Sequence, residues 1–301
     1  MTIDPLQADQ DHSSPSLSVV VPAKNESRAI GKVISSIFRI IPDAEVLVID
    51  DGSTDNTTEI AEKAGARVIA QPYSMGNGAA IKRGARSAHG EILVFMDGDG
   101  QHNPQDIPRL LEQLDRGYDM AVGARQKGSQ ANVGRGLANR FYNRLASYMT
   151  GQRIEDLTSG FRAVRARMFR EFLHLLPNGF SYPTTITMAF FRAGYPVTYV
   201  PIHAAKRVGN SHLKPLQDGL RFLLIIFKVG TLYSPLKLFV PVSFGFFLLG
   251  VGYYLFTFIT MSRFTNMSAL LLTTSVIIFL IGLVSEQITQ LMYKDAIAED
   301  G

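Results

Sequence analysis

"EILVFMDGDGQHNP", residues 91–104, decides the fold. The unbroken apolar run from Ile92 to Met96 predicts a strand covered on both faces, because a half-exposed strand would alternate. It ends on Asp97, Gly98 and Asp99, so two carboxylates stand where a buried strand emerges. A lone strand-end aspartate is usually a turn residue or a helix cap. This pair shares one side of a turn, with Gly98 and Gly100 allowing close backbone approach. Carboxylates that near repel unless a cation lies between them. Oxygen-only ligation with Gln101 close by suits Mg²⁺ or Mn²⁺, either of which completes its shell with substrate phosphates. A metal-diphosphate site held by Asp97, Asp99 and Gln101 is the expectation, and two solvated turn aspartates are the alternative.

Upstream, the pattern of strand and helix repeats. Residues 17–21 read as a short buried strand stopped by Pro22, and Asn25 or Ser27 as the cap of a helix carrying Ile30, Val33, Ile34 and Ile37. Val46 to Ile49 form a second apolar run, ending on Asp50 and Asp51, and "STDNTTEIAEKAG" then predicts a capped helix closed by Gly65. Such alternation calls for a mostly parallel α/β sheet with helices on both faces and ligands at the carboxyl ends of its strands. Lys24, Asn25, Glu26, Asp50, Asp51, Asp97 and Asp99 all fall at those ends. Gly76 and Gly78 open the next helix, where ligand contact and close helix packing compete. Neither the Gly-x-Gly-x-x-Gly fingerprint nor a Gly-Lys-Ser/Thr loop is present, which excludes a Rossmann dehydrogenase and a P-loop NTPase.

Downstream, residues 119–123 predict a strand ending in Arg125, whose fork suits phosphate oxygens but could equally pair with a carboxylate. Asp156 lies in the polar loop "EDLTSG" and reads as a helix cap, as a cation ligand, or as a group that orients an acceptor. After a strand in "YPVTYVPI", His203, Lys206 and Arg207 form a basic loop suited to phosphate or to a bilayer. Residues 216–229 predict an amphipathic helix lying in the membrane interface. Residues 238–261 and 264–285 carry no charge and are each long enough to cross a bilayer, so they read as a tight helical hairpin. The basic excess before the hairpin puts the large domain and both termini in the cytoplasm.

The chain of 301 residues thus divides into a disordered tail at 1–16, a catalytic α/β domain at 17–212, a juxtamembrane segment at 213–235, the hairpin at 236–292 and a tail at 293–301. Absence of cysteine excludes disulfides and thiolate metal sites. The net charge of +4 gathers near the hairpin, which favours anionic lipid over nucleic acid as a partner.

In order along the chain, "VVVPAKNE", "VIDDGSTDNT", "GNGAAIKRG", "MDGDGQHNP", "VGAR", "DLTSGFRA" and "KRVGNS" resemble glycosyltransferase family 2, and within it the polyprenyl-phosphate hexosyltransferases of the dolichol-phosphate mannosyltransferase kind. The resemblance implies a GT-A fold, a divalent metal, a nucleotide-sugar donor (GDP-mannose first, UDP-glucose next) and a polyprenyl phosphate acceptor. It implies inversion at the anomeric carbon. Residue by residue, it puts Pro22, Lys24, Glu26 and Asp51 around the nucleoside, Asp97, Asp99 and Gln101 at the metal, and Arg125 and Arg207 at phosphates. Lys24 stands where the family often has an aromatic residue. Asp156 is assigned to positioning acceptor or sugar, Gly78 to the donor side, and a homo-oligomer is left open. The competing functions are a membrane-anchored scaffold without catalysis and a processive polysaccharide synthase. The synthase is disfavoured because the chain has no tryptophan, and so no Gln-x-x-Arg-Trp segment.

Overall fold

The computed structural model describes residues 16–126, 133–179, 181–203, 227, 230–231 and 234–298. Among these residues seven strands form one sheet in the order β3-β2-β1-β4-β6-β5-β7. Its first half is a parallel wind: β1 (Leu17–Ala23), α1 (Ile30–Ile40), β2 (Glu45–Asp50), α2 (Thr57–Lys63) and β3 (Arg67–Ala70). The chain then crosses back through α3 (Asn77–Ser87) to lay β4 (Ile92–Phe95) on the other side of β1, in parallel, with Val20 opposite Phe95. The order of strands therefore reverses at the β1/β4 seam, which is where ligands of such sheets bind.

Both faces of the central strands are covered, as the unbroken apolar runs require. Val20, Leu47, Ile49 and Phe95 pack with Ala80, Ile81 and Ala85 of α3. Val19, Val21, Val48 and Val94 pack with Ile30, Val33, Ile34 and Ile37 of α1 and with Leu110 and Leu114 of α4 (Ile107–Asp115). Helix α3 sits so close that a Cβ on Gly84 would fall 2.3 Å from Val20 Cγ1.

The second half departs from the parallel scheme. After β5 (Met120–Arg125) and α5 (Val133–Thr150), strand β6 (Arg162–Arg165) enters antiparallel between β4 and β5. It is followed by α6 (Ala166–Glu171) and α7 (Tyr182–Ala193), and β7 (Val197–Ile202) closes the edge parallel to β5. An antiparallel strand starts where its parallel neighbours end. The loop 154–161 that leads into β6 is thereby delivered to the same sheet edge as Asp97 and Arg125.

Among the described residues two long helices follow the sheet, α8 (Pro235–Met261) and α9 (Asn266–Ala298). Ser262, at φ 49°, turns one into the other. Both are long and apolar enough to cross a membrane, and most of their surface faces outward. Across the pair, Ser243 and Ser275 each donate a hydroxyl hydrogen to the other's backbone carbonyl at 2.9 Å. Helix α9 runs to Ala298, into the segment 293–301 that the sequence reads as a tail.

Two local expectations are corrected. Pro22 does not stop β1, which continues to Ala23; its missing N–H would point to the β4 side, where the ladder with β1 already ends at Val20. Neither Asn25 nor Ser27 caps α1, whose first turn follows Ala29 without a side-chain cap. Asn25 instead takes a left-handed φ of 55° and accepts from Thr54 N–H at 2.8 Å, tying the first loop to the second. The expected tail at 1–16, apart from Ser16, and the interfacial helix at 216–229, apart from Phe227, lie outside the described residues.

Candidate active site

At the seam, Asp97 follows β4 and keeps about a third of its side-chain surface exposed (36%). Its carboxylate faces Gly160: a Cβ there would lie 3.5 Å from both oxygens. Asp97 N–H donates to His102 Nδ1 at 3.4 Å, so that ring nitrogen acts as an acceptor, and the ring stacks on Phe161 at 5.1 Å. The nearby Asp97 Oδ2, 3.8 Å from the same nitrogen, is therefore not a charge pair in this geometry. Asp99 is buried, and its Oδ1 accepts Gln101 N–H at 3.0 Å, which folds the Asp-Gly-Asp-Gly turn back on itself.

Arg125 ends β5 and meets Asp156 in a two-pronged pair, Nε to Oδ2 at 2.8 Å and Nη2 to Oδ1 at 2.9 Å. Thr158 Oγ1 accepts from the same Nη2. Burial works against both charges. For Asp156 the Arg125 hydrogen bond and charge outweigh it, holding the carboxyl below its usual range. Arg125 rises above its ordinary value despite burial, first through its Asp156 bond and charge and then through the Asp97 charge. Of the two options for the Arg125 fork, pairing with a carboxylate is the one seen here.

The nucleoside-side residues are tied together by Asp51. This buried carboxylate accepts from Ser74 Oγ at 2.8 Å, Met75 N–H at 2.6 Å and Gly76 N–H, and Lys24 Nζ donates to Ser74 Oγ at 2.8 Å. Asp50 turns the other way, to Ser53 and to Thr58 Oγ1 at 2.7 Å. Glu26 and half-buried Pro22 stand at the end of β1, with Glu26 N–H bonded to Thr57 Oγ1. Gly78 is buried at the start of α3 against backbone: its N–H donates to Gly179 O at 3.1 Å, and a Cβ would strike Pro177 O at 2.0 Å. Close packing of α3 on the 177–179 loop accounts for this glycine. Asp97, Asp99, Gln101, Arg125 and Asp156 thus share one sheet edge with Lys24 and Asp51, while Arg207 and Lys206 lie outside the described residues.

Two residues beneath the site have no role among the sequence expectations, although Arg162 lies within the quoted "DLTSGFRA" stretch. Arg162 on β6 is wholly buried: Nη2 donates to Ser159 O, Nη1 to Thr187 Oγ1 at 3.2 Å, and its guanidinium lies 5.6 Å over the Tyr182 ring. Burial lowers its pKa, opposed by the charges of Tyr182, Tyr199, Asp156 and Asp97. Tyr182 hydroxyl donates to Gly160 O at 3.0 Å. Together they fix the Ser159–Gly160 backbone against which Asp97 rests.

A mostly parallel sheet of this order, with strand-end carboxylates at its switch point and a later antiparallel strand feeding the same edge, is a GT-A-like glycosyltransferase fold. The chain belongs to glycosyl transferase family 2, whose model matches residues 18–174, and a GtrB C-terminal hairpin model matches residues 234–291. It is 33% identical over 241 residues to glycosyltransferase AglJ of Haloferax volcanii, covering 78% of each chain. It is 34% identical over 215 residues to that organism's dolichyl-phosphate hexose transferase, covering 71% of this chain and 93% of the relative. Among solved structures, glucosyl-3-phosphoglycerate synthase of Mycobacterium tuberculosis, in complex with Mn²⁺, UDP and phosphoglyceric acid, is similar with a TM-score of 0.56 and 27% identity, covering 71% of this chain and 78% of that one.

Proposed function

We propose that this glycosyltransferase moves a hexose from a nucleotide-sugar to a polyprenyl phosphate at the cytoplasmic face of a membrane, with inversion at the anomeric carbon. The observation that carries the reading is the partly exposed Asp97 carboxylate at the β1/β4 switch point, within the field of Arg125, in a chain that also bears two apolar helices. The dolichyl-phosphate hexose transferase relative supports the acceptor class, and mannose is our first choice of sugar with glucose next.

The donor set fits a hard divalent cation. Asp97 is reachable, every candidate ligand is oxygen, and the Mn²⁺ complex of the solved neighbour supports the assignment. Among the described residues no three His, Cys, Asp or Glu side chains converge, so Asp97, Asp99 and Gln101 would hold Mg²⁺ or Mn²⁺ jointly with the donor diphosphate. When bound, the ion supplies Lewis-acid stabilisation of the departing nucleotide.

The acceptor phosphate is mostly dianionic near neutral pH, because its second pKa is about 6. Its oxygen attacks the anomeric carbon as the bond from that carbon to the donor's β-phosphate oxygen breaks, and the electron pair leaves with the nucleoside diphosphate. No proton has to be removed from the nucleophile. Asp156, held ionised below its usual range by Arg125, is correspondingly a weak base. Its role is to hold Arg125, whose fixed positive charge would stabilise developing phosphate charge. Arg207 and the basic loop add positive charge on the acceptor side, and Lys24, Asp51, Pro22 and Glu26 shape the nucleoside pocket. The hairpin, residues 236–292 in our domain division, keeps the site at the surface where the lipid phosphate lies.

The test is to incubate the full-length protein with polyprenyl phosphate and labelled GDP-mannose or UDP-glucose, with and without chelator. Chelator-sensitive label in the lipid extract is expected from one donor. No lipid label from a folded protein across a panel of hexose donors would overturn the reading.

A further inference from the structure

The catalytic domain meets the hairpin at a cavity of about 440 Å³ whose lining includes none of the candidate-site residues at the sheet edge. Met149, Met188 and Phe191 give it an apolar wall, and Arg192, Lys237 and Glu286 bring three charges to it. Arg192 Nη2, from the last turn of α7, lies 3.6 Å from Glu286 Oε1. The N–H of Leu236, in the first turn of α8, points to Glu286 Oε2 at 3.5 Å. Lys237 Nζ gives hydrogens to Met149 O at 2.9 Å and Tyr148 O at 3.3 Å, which leaves the third of its ammonium donors.

The depth of this cavity follows from the sequence. Lys237 is the last charge before the uncharged stretch 238–261, and Glu286 is the first after the uncharged stretch 264–285. Both mark the same end of the hairpin, at the level of lipid headgroups. Ionisable groups at such depth are costly unless they are partnered, and Glu286 is only 16% exposed on its side chain. A carboxylate facing a guanidinium and an ammonium around one cleft complements a zwitterion.

We propose that this cavity seats the headgroup of phosphatidylethanolamine, with its phosphate on Arg192 and Lys237, its ammonium on Glu286, and the start of its acyl region against Met149, Met188 and Phe191. Phosphatidylcholine has no N–H to donate to Glu286, and phosphatidylglycerol offers no cation. Phosphatidylserine would bring a second carboxylate against Glu286. The proposal rests on the reading that α8 and α9 span a bilayer.

Full-length protein is delipidated in detergent and titrated with dioleoyl phosphatidylethanolamine, -choline and -glycerol, and with soluble glycerophosphoethanolamine, and retention is read by native mass spectrometry. The wild type should retain the ethanolamine lipid about tenfold over the other two, and over the soluble headgroup. Glu286→Gln should reduce that retention to the choline level, and Arg192→Gln should weaken it further. Thr150→Phe, which narrows the cavity and removes no charge, should also lower it, and it carries the test if the charge variants fail to fold. Equal retention of the three lipids, a folded Glu286→Gln that keeps the preference, or a soluble headgroup that binds as well as the lipid would each overturn the proposal. Alkaline carbonate extraction of the wild type separates the failures. Protein that stays in the membrane pellet without a lipid preference sinks the headgroup site alone, whereas protein that washes out sinks the anchor reading as well.

Discussion

Asp97 and Asp156 are both carboxylates at the same sheet rim, yet their surroundings give them opposite tasks. Asp97 is reachable and its backbone is secured by His102, so Asp97→Asn should leave the thermal midpoint within a few degrees while lowering transfer by about a hundredfold or more. Initial rates with labelled donor, alongside a melting curve, check both halves. Asp156 is spent on Arg125. Asp156→Asn and Arg125→Lys should each slow turnover by about tenfold to a hundredfold, and the double variant should be little worse than either, because both remove one unit. A base role for Asp156 would instead shift the acidic limb of the pH–rate profile, which is expected to stay in place. The reachable half of this site was legible in the sequence, since a carboxylate that ends a buried strand is a local pattern. The Arg125–Asp156 pair was not, as its partners are 31 residues apart and nothing local announces which carboxylate takes the fork. Arg162 was hidden for another reason: arginine ordinarily marks surface, and only the antiparallel entry of β6 drives this one into the core.

Among the elements, α3 has the least room. Gly84→Ala should destabilise the protein by about 1–3 kcal/mol, because Val20 lies on the central strand and cannot step aside. A denaturant titration of the detergent-solubilised protein measures it. At the opposite sheet edge from the site, Glu45 ties β1, β2 and β3 together. Burial raises its pKa, but the His89 N–H, the Ser18 hydroxyl, the His89 ring and Arg67 outweigh burial and bring it from 4.5 to about 2. A folded-state value below the unfolded one contributes stability above pH 4.5 that is lost as pH falls through about 2. Glu45→Gln should flatten the acid limb of stability against pH, by an amount reduced by the solvent that still reaches this carboxylate. The apolar runs of β1, β2 and β4 made these strands readable. The direction of β6 was not readable, because Arg-Ala-Val-Arg has the same pattern in either orientation.

For the molecule as a whole, orientation across the membrane is the open consequence of the fold, and the absence of cysteine makes it directly measurable. Arg263→Cys at the hairpin tip should react with a membrane-impermeant maleimide in intact cells. Lys63→Cys on the catalytic domain should react only after permeabilisation. The reverse pattern would place the domain outside. The pair of apolar helices was legible from composition alone, whereas their seat against α5 and α7 depends on Arg192 and Glu286, 94 residues apart in the chain. One feature of the sheet reaches beyond any single variant. Because β6 runs backwards, the excursion that leaves β5 at Arg125 returns to the same rim at Asp156, and the ion pair acts as a clasp on its two ends. Closing a longer excursion costs little, about 0.6 kcal/mol for each doubling of length. The length of chain hung from the clasp can therefore change at small entropic cost while its two ends stay fixed at the rim.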